Sequence, residues 1–113
     1  MKGYVLEPTN GRESFGYKAF VEQKGRTRTL LSYYKPIVRI NADGSFTRLC
    51  KLDFRYIGIN GKEKKGLGYG TCCHIKAFTE MTKEQFSQLP YRKPAMFENG
   101  KVYPMKEWKK RQA

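Results

Sequence analysis

Cys72, Cys73 and His74 stand in a row, and Cys50 is the one further cysteine. Thiol and imidazole in one chain raise two chemistries, zinc ligation and nucleophilic catalysis. Tetrahedral zinc sites draw their ligands from spaced pairs such as Cys-x2-Cys. Adjacent residues on a helix point about 100 degrees apart, and His74 is the single histidine. The spacing therefore argues against a metal centre. A Cys/His catalytic pair meets the same obstacle, because residues one or two apart on a helix do not face each other. Cys50 meets His74 only if the fold brings them together. The acids are few and sit mostly among lysines, so no carboxylate pair for acid–base work stands out. We expect no catalytic residue, no metal and no cofactor. Cys72 is expected in the core, with Cys73 and His74 on the flanks of a helix.

Gly66-Leu67-Gly68-Tyr69-Gly70-Thr71 opens that predicted helix, with Lys62, Lys64 and Lys65 just upstream. Free N–H groups at a helix start, with the helix dipole, can hold a phosphate. The segment is neither a Walker loop nor a Rossmann fingerprint. A flexible hairpin rich in glycine is the simpler reading, and such a segment can still touch a polyanion backbone diffusely.

Charge is the strongest signal. Lysine and arginine number 23 against 10 acids, a formal +13. The excess runs along the whole chain: residues 1–50 carry 9 basic and 4 acidic groups, residues 51–113 carry 14 and 6. A field of this sign draws polyanions. Aromatic residues interleave with the bases at Arg26, Arg28, Tyr33, Tyr34, Lys35 and Arg39, and again at Arg48, Lys51, Arg55 and Tyr56. A sheet face bearing cations and exposed rings stacks bases and contacts phosphate. Strand alternation predicts Arg26, Arg28 and Tyr34 on the face opposite Leu31 and Tyr33. The alternative is that the tyrosines line the core edge and the arginines are a solvated face.

The elements that must position these residues follow from periodicity and punctuation. Residues 1–13 read as an irregular lead-in. Ser14 to Glu22 alternates Phe15, Tyr17, Ala19 and Val21, a half-buried strand. Lys24-Gly25 turns the chain, and Thr27 to Tyr34 returns as its hairpin partner. Pro36 marks an edge or a break. Ile37–Ile40 and Ser45–Leu49 flank the turn Asn41-Ala42-Asp43-Gly44. Asp53–Ile59 extends the sheet. Thr71 is the expected N-cap of a helix over 71–80, with Cys72, Ile75 and Phe78 as its apolar stripe. Thr82-Lys83-Glu84-Gln85 is a capping box for a second helix that buries Phe86 and Leu89 and stops at Pro90. Asn99-Gly100 centres a tight hairpin over 97–103. Pro104 opens a last short helix with Met105 and Trp108 on one side. Lys109-Lys110-Arg111 suits either a helix C-terminus or a frayed tail.

Ser14-Phe15-Gly16-Tyr17-Lys18-Ala19, Leu31-Ser32-Tyr33 and the helix positions Thr71, His74, Ile75 and Phe78 give the chain a resemblance. It resembles a family of small uncharacterised domains found in phages, plasmids and other mobile elements. Their pattern is an aromatic-Gly-Lys-Ala strand, a Leu-x-Ser-Tyr strand, a short hairpin, and a helix opening with Thr-x-x-His. The resemblance covers residues 14–49 and 70–79. Gly70 stands where a further threonine is expected, residues 51–68 form a longer, more basic insertion, and the chain beyond 80 is unmatched. The resemblance implies a mobile-element origin and a compact sheet with one helix packed on it. Small accessory proteins of that origin bind nucleic acid or a host protein, including defence enzymes.

Together these readings predict one α+β domain over 1–113: an antiparallel sheet of four to five strands with one or two short helices on one face. A mobile basic loop near 60–70 and a basic tail near 109–113 complete it. The odd cysteine count, two of them adjacent, is a poor disulfide framework and suits a reducing compartment. No apolar run approaches the roughly 20 residues that cross a bilayer, and a cytoplasmic protein with no membrane partner is expected. The expected function is non-enzymatic binding of DNA or RNA through Arg26, Arg28, Arg39, Arg48, Lys62, Lys64 and Lys65, with Tyr34 and Tyr56 stacking on bases. The alternative is a phage or plasmid accessory protein that inhibits a host protein, such as a defence nuclease or its nucleic-acid channel. An exposed cluster of Phe97, Tyr103 and Trp108 would favour that alternative.

Overall fold

The computed structural model describes residues 2–7, 18–52, 55–57 and 60–112. Among these residues, nine strands and three helices run in the order β1 (Lys2–Val5), β2 (Ala19–Lys24), β3 (Thr27–Ser32), β4 (Lys35–Ile40), β5 (Phe46–Arg48), β6 (Arg55–Ile57), β7 (Glu63–Lys65), α1 (Tyr69–Thr79), α2 (Lys83–Ser87), β8 (Pro94–Glu98), β9 (Lys101–Pro104) and α3 (Met105–Gln112). Seven strands form one antiparallel sheet in the order β1-β2-β3-β4-β5-β8-β9. The fold is thus α+β, with more strands than the sequence reading counted. One addition is β1, which lies in the expected lead-in and pairs with β2 from Lys2↔Gln23 to Val5↔Phe20. The segment expected to extend the sheet does not join it. Its described part, β6, pairs with β7 in a separate two-stranded ribbon. Residues 14–17 and 53–54, also assigned to strands from sequence, lie outside the described residues, as do 58–59.

Turn chemistry sets the register. Gly25 at φ 61° leads the two-residue turn joining β2 to β3, and Lys24 faces Thr27 across it. Asn99 (φ 51°) and Gly100 (φ 78°) make the two-residue turn of the β8–β9 hairpin, the residue pair best suited to two left-handed conformations in succession. Asp43 in the β4–β5 turn accepts from the Ser45 N–H and hydroxyl at 2.9 and 2.6 Å. Those two bonds hold its carboxyl below the usual range, with the charge of Lys109 adding to them.

The core lies between one sheet face and the helices. Ala19, Val21, Leu30, Ile37, Val38 and Ala95 meet Ile75 of α1, Met81 of the α1–α2 link, and Phe86 and Leu89 at α2. In β4 the pairing shifts at Leu30/Leu31, so Pro36 faces Leu31 while Val38 faces Leu30. Such a bulge tolerates a residue without an N–H and lets both Ile37 and Val38 be buried. Helix α2 has its capping box: the Gln85 N–H donates to Thr82 Oγ1, and the Thr82 N–H donates to Gln85 Oε1. Helix α3 packs on β8 and β9, and Lys109–Arg111 are its last turn instead of a tail. Among the described residues no helix is long and apolar enough to cross a membrane.

Candidate nucleic-acid interface

Strand β3 sets the geometry. It ends at Ser32, and the chain turns at Tyr33 (φ 50°) and Tyr34 (φ 68°) before Lys35 pairs back with Ser32. The strand expected through Tyr34 is therefore cut short by a two-residue turn built from two tyrosines in the left-handed region. A bulky residue there is a steric outlier. Elsewhere the same chain makes this type of turn from Asn99-Gly100.

Part of the cost is offset at Tyr33. Its ring tilts against the His74 ring at 5.5 Å, Lys18 Nζ stands 5.4 Å from its centroid, and its N–H donates to the Lys18 carbonyl at 2.8 Å. Gly70 of α1 lies under the Tyr33 hydroxyl, where a Cβ would collide with it. Tyr34 has no such account. It is 89% exposed, the most exposed large hydrophobic side chain among the described residues.

Beneath the turn sits a polar cluster. His74 Nδ1 lies 2.7 Å from Ser32 Oγ, and Ser32 Oγ lies 3.0 Å from Thr71 Oγ1. All three residues are buried, His74 at 2% exposure, and burial lowers the imidazole pKa so that the ring is held neutral. Two expectations fail here. Thr71 is not the N-cap: that position is Gly68, which has no side-chain cap, and Thr71 points inward to Ser32. Nor does His74 lie on a flank, since Thr71, His74, Ile75 and Thr79 form the buried side of α1 while Cys72 and Phe78 are half-buried. Cys50, Cys72 and Cys73 form no disulfide, and burial pushes the first and second up in pKa, away from the reactive thiolate.

The predicted contact residues divide into separate places. Arg26 is exposed in the β2–β3 turn. Arg28 is exposed with its guanidinium 6.0 Å from the Phe78 ring. Arg39 is half-buried, donating from Nε to Asn41 Oδ1 at 2.9 Å. These three share one end of the sheet, where Arg28 faces Ile40 and Thr29 faces Arg39. Tyr34 stands at the other end of β3, about 20 Å away for six residues of strand. Lys62 is exposed beside the Asn60-Gly61 turn of the β6–β7 ribbon. Tyr56 faces Lys64 within that ribbon, but the side chains of Tyr56, Lys64 and Lys65 lie outside the described residues.

Arg28 and Leu31 do lie on opposite faces, as alternation predicts, but the Arg28 face is the covered one. Leu30 and Ser32 are buried, so Arg28 belongs to the helix-covered face and Leu31 to the opposite one. Arg48 leaves the contact set altogether. It is 8% exposed, donates from Nε to the Leu89 carbonyl at 2.9 Å, and donates from Nη1 to the Cys50 carbonyl. The cluster of Tyr103 and Trp108 is half-buried, and the Arg111 guanidinium covers both rings at 4.2 and 5.6 Å. Sequence reading passed over Lys18 as a neighbour of the tyrosine turn. The signal for it was Lys18-Ala19 in the strand facing Leu31-Ser32. No protein-family model, curated protein or solved structure matches the chain.

Proposed function

We propose that this is a non-enzymatic nucleic-acid-binding protein of mobile-element type, which presents Tyr34 to the bases and surrounding cations to the phosphates. One observation carries the reading: a left-handed two-tyrosine turn holds Tyr34 almost wholly in solvent. Backbone in that region costs on the order of 1–3 kcal/mol for a residue other than glycine and persists where surrounding structure over-determines it. An exposed ring on a stiff tip stacks a base at little entropic cost, and such stacking is worth about 1–3 kcal/mol per base.

Charge supports the same reading. Between Glu22 and Asp43 the chain carries five cations and no acid, and both Lys18 and Lys35 beside the turn are exposed. The first turn of α1, which begins against Tyr33, has no acidic side chain and no side-chain cap, so its positive end is unopposed by its own residues.

Tyr34→Gly tests the idea because it separates fold from function. Glycine relieves the left-handed conformation, so the variant is expected to hold or gain up to about 1 kcal/mol of stability. Its affinity for nucleic acid at low salt is expected to fall about tenfold, the loss of one stacked base. Thermal unfolding and an anisotropy titration read the two quantities. A variant that binds as tightly as wild type removes Tyr34 from the interface.

A further inference from the structure

A second exposed tyrosine is held by a second strained turn. Tyr91 forms a bridge to Arg48 of β5, and its ring, 37% exposed, has two guanidiniums near its centroid: Arg48 at 5.5 Å and Arg92 at 5.4 Å. Arg92 is left-handed (φ 58°), its N–H donates to the Arg48 carbonyl at 2.8 Å, and its Nε donates to the Tyr91 hydroxyl at 3.0 Å. The buried Arg48 is in contact with the ring and Arg92 fixes its hydroxyl. Arg92 and Lys93 follow it in sequence and Lys51 lies three residues after Arg48, all three exposed, and from Gln85 to Phe97 the chain has two cations and no acid.

Register places this ring relative to Tyr34. Arg48 faces Val38 on β4, and Val38 is four residues beyond Tyr34. Two inter-strand spacings across and four residues along give a separation of about 15 Å. The separation fits a chain of a few nucleotides, within the roughly 4–16 nucleotides that single-strand binders cover. Two rings offered as separate posts, with exposed Lys35 next to one in sequence and exposed Lys93 near the other, match unpaired bases, whose faces are open. Stacked base pairs present edges and phosphates instead.

We propose that Tyr91, set by Arg48 and Arg92, is the second stacking residue of a single-stranded nucleic-acid path that runs from Tyr34, with Lys35, Lys51 and Lys93 along its phosphates. The inference rests on the nucleic-acid reading and names its ligand as single-stranded.

The test titrates the full chain with labelled oligothymidine DNA and oligouridine RNA of about 12 nucleotides, and with a duplex of the same length. Tyr91→Leu keeps apolar bulk on Arg48 and removes the aromatic face. It is expected to weaken both single strands about tenfold and leave the duplex unchanged, and the tighter of the two single strands identifies the preferred sugar. Photo-cross-linking of wild type to a bromopyrimidine single strand is expected to label Tyr34 and Tyr91. Unchanged single-strand affinity in Tyr91→Leu, with no cross-link at Tyr91, overturns this path while a loss in Tyr34→Gly keeps the broader reading. Wild type that binds neither single strand nor duplex at low salt overturns both. Equal loss of duplex and single strand in Tyr91→Leu overturns the single-strand assignment.

Discussion

Two arginines that look alike in sequence do opposite work here. Arg48 and Arg28 both sit on strands among aromatic residues, yet one is interior and the other exposed. Arg48 donates to the carbonyls of Leu89, just past α2, and of Cys50, just past β5. It ties the end of a helix to the exit of a strand through groups that have left regular structure. Removing it leaves one buried and one part-buried carbonyl without those donors, at about 1–3 kcal/mol. Arg48→Met is expected to lower the unfolding free energy by that amount, read as a lower urea midpoint at unchanged slope. Arg48→Lys recovers little, because a single ammonium cannot span two carbonyls in the fixed fork of a guanidinium. Arg26→Gln in the exposed β2–β3 turn is expected to stay within about 0.5 kcal/mol of wild type. A stability ranking of these variants by chemical denaturation checks the assignment.

At the scale of elements, the tyrosine turn, the end of β3 and the start of α1 behave as one unit. Ser32 joins them: its hydroxyl meets both His74 and Thr71, and its backbone opens the turn. Ser32→Ala leaves two buried polar groups short of a partner and is expected to cost about 1–3 kcal/mol. Hydrogen exchange is expected to quicken at the first turn of α1 and at Tyr33 before it quickens at α2. Parts of this architecture were legible. Asn99-Gly100, the Thr82–Gln85 capping box and the Phe86/Leu89 pair are local signals whose partners lie within a few residues, and the structure has all three. The limits of β3 were not legible, since tyrosine favours strands and seldom turns. Leu30-Leu31 also puts an apolar side chain on each face, so alternation alone does not say which is buried. The partner of His74 lies 42 residues away across the fold, beyond the reach of spacing rules. Yet Lys18, Ala19, Ser32, Tyr33, Thr71 and His74, quoted earlier as the motifs of a sequence resemblance, meet around this one turn.

On the scale of the whole molecule, a formal +13 must be carried by a small fold, and its pH response separates cleanly by group. His74 is the single histidine, and burial depresses its pKa below the usual 6.5. In the unfolded chain it takes up a proton as pH falls through about 6.5, while in the folded chain it resists until a lower pH. Between those two values the unfolded state binds more protons, so stability falls as pH falls. Its contribution is complete above the unfolded value and has been lost once pH drops below the folded one. Asp43 is also depressed, by its bonds from Ser45, but acts lower: its contribution is present above the ordinary carboxyl value of 3.8 and disappears as pH falls through its folded value. Urea unfolding from pH 7.5 to 3 is therefore expected to show two declining limbs. His74→Gln is expected to flatten the upper limb while lowering stability throughout, because Ser32 loses its imidazole partner. Asp43→Asn is expected to erase only its part of the lower limb. The turn at Tyr33 rests on the His74 ring, so nucleic-acid affinity is expected to weaken where the folded ring protonates, at the low-pH foot of the upper limb in wild type, and to lose that pH dependence in His74→Gln. An affinity that instead strengthens through the upper limb in both proteins would show general cationic attraction to be dominant over the placement of the tyrosine turn.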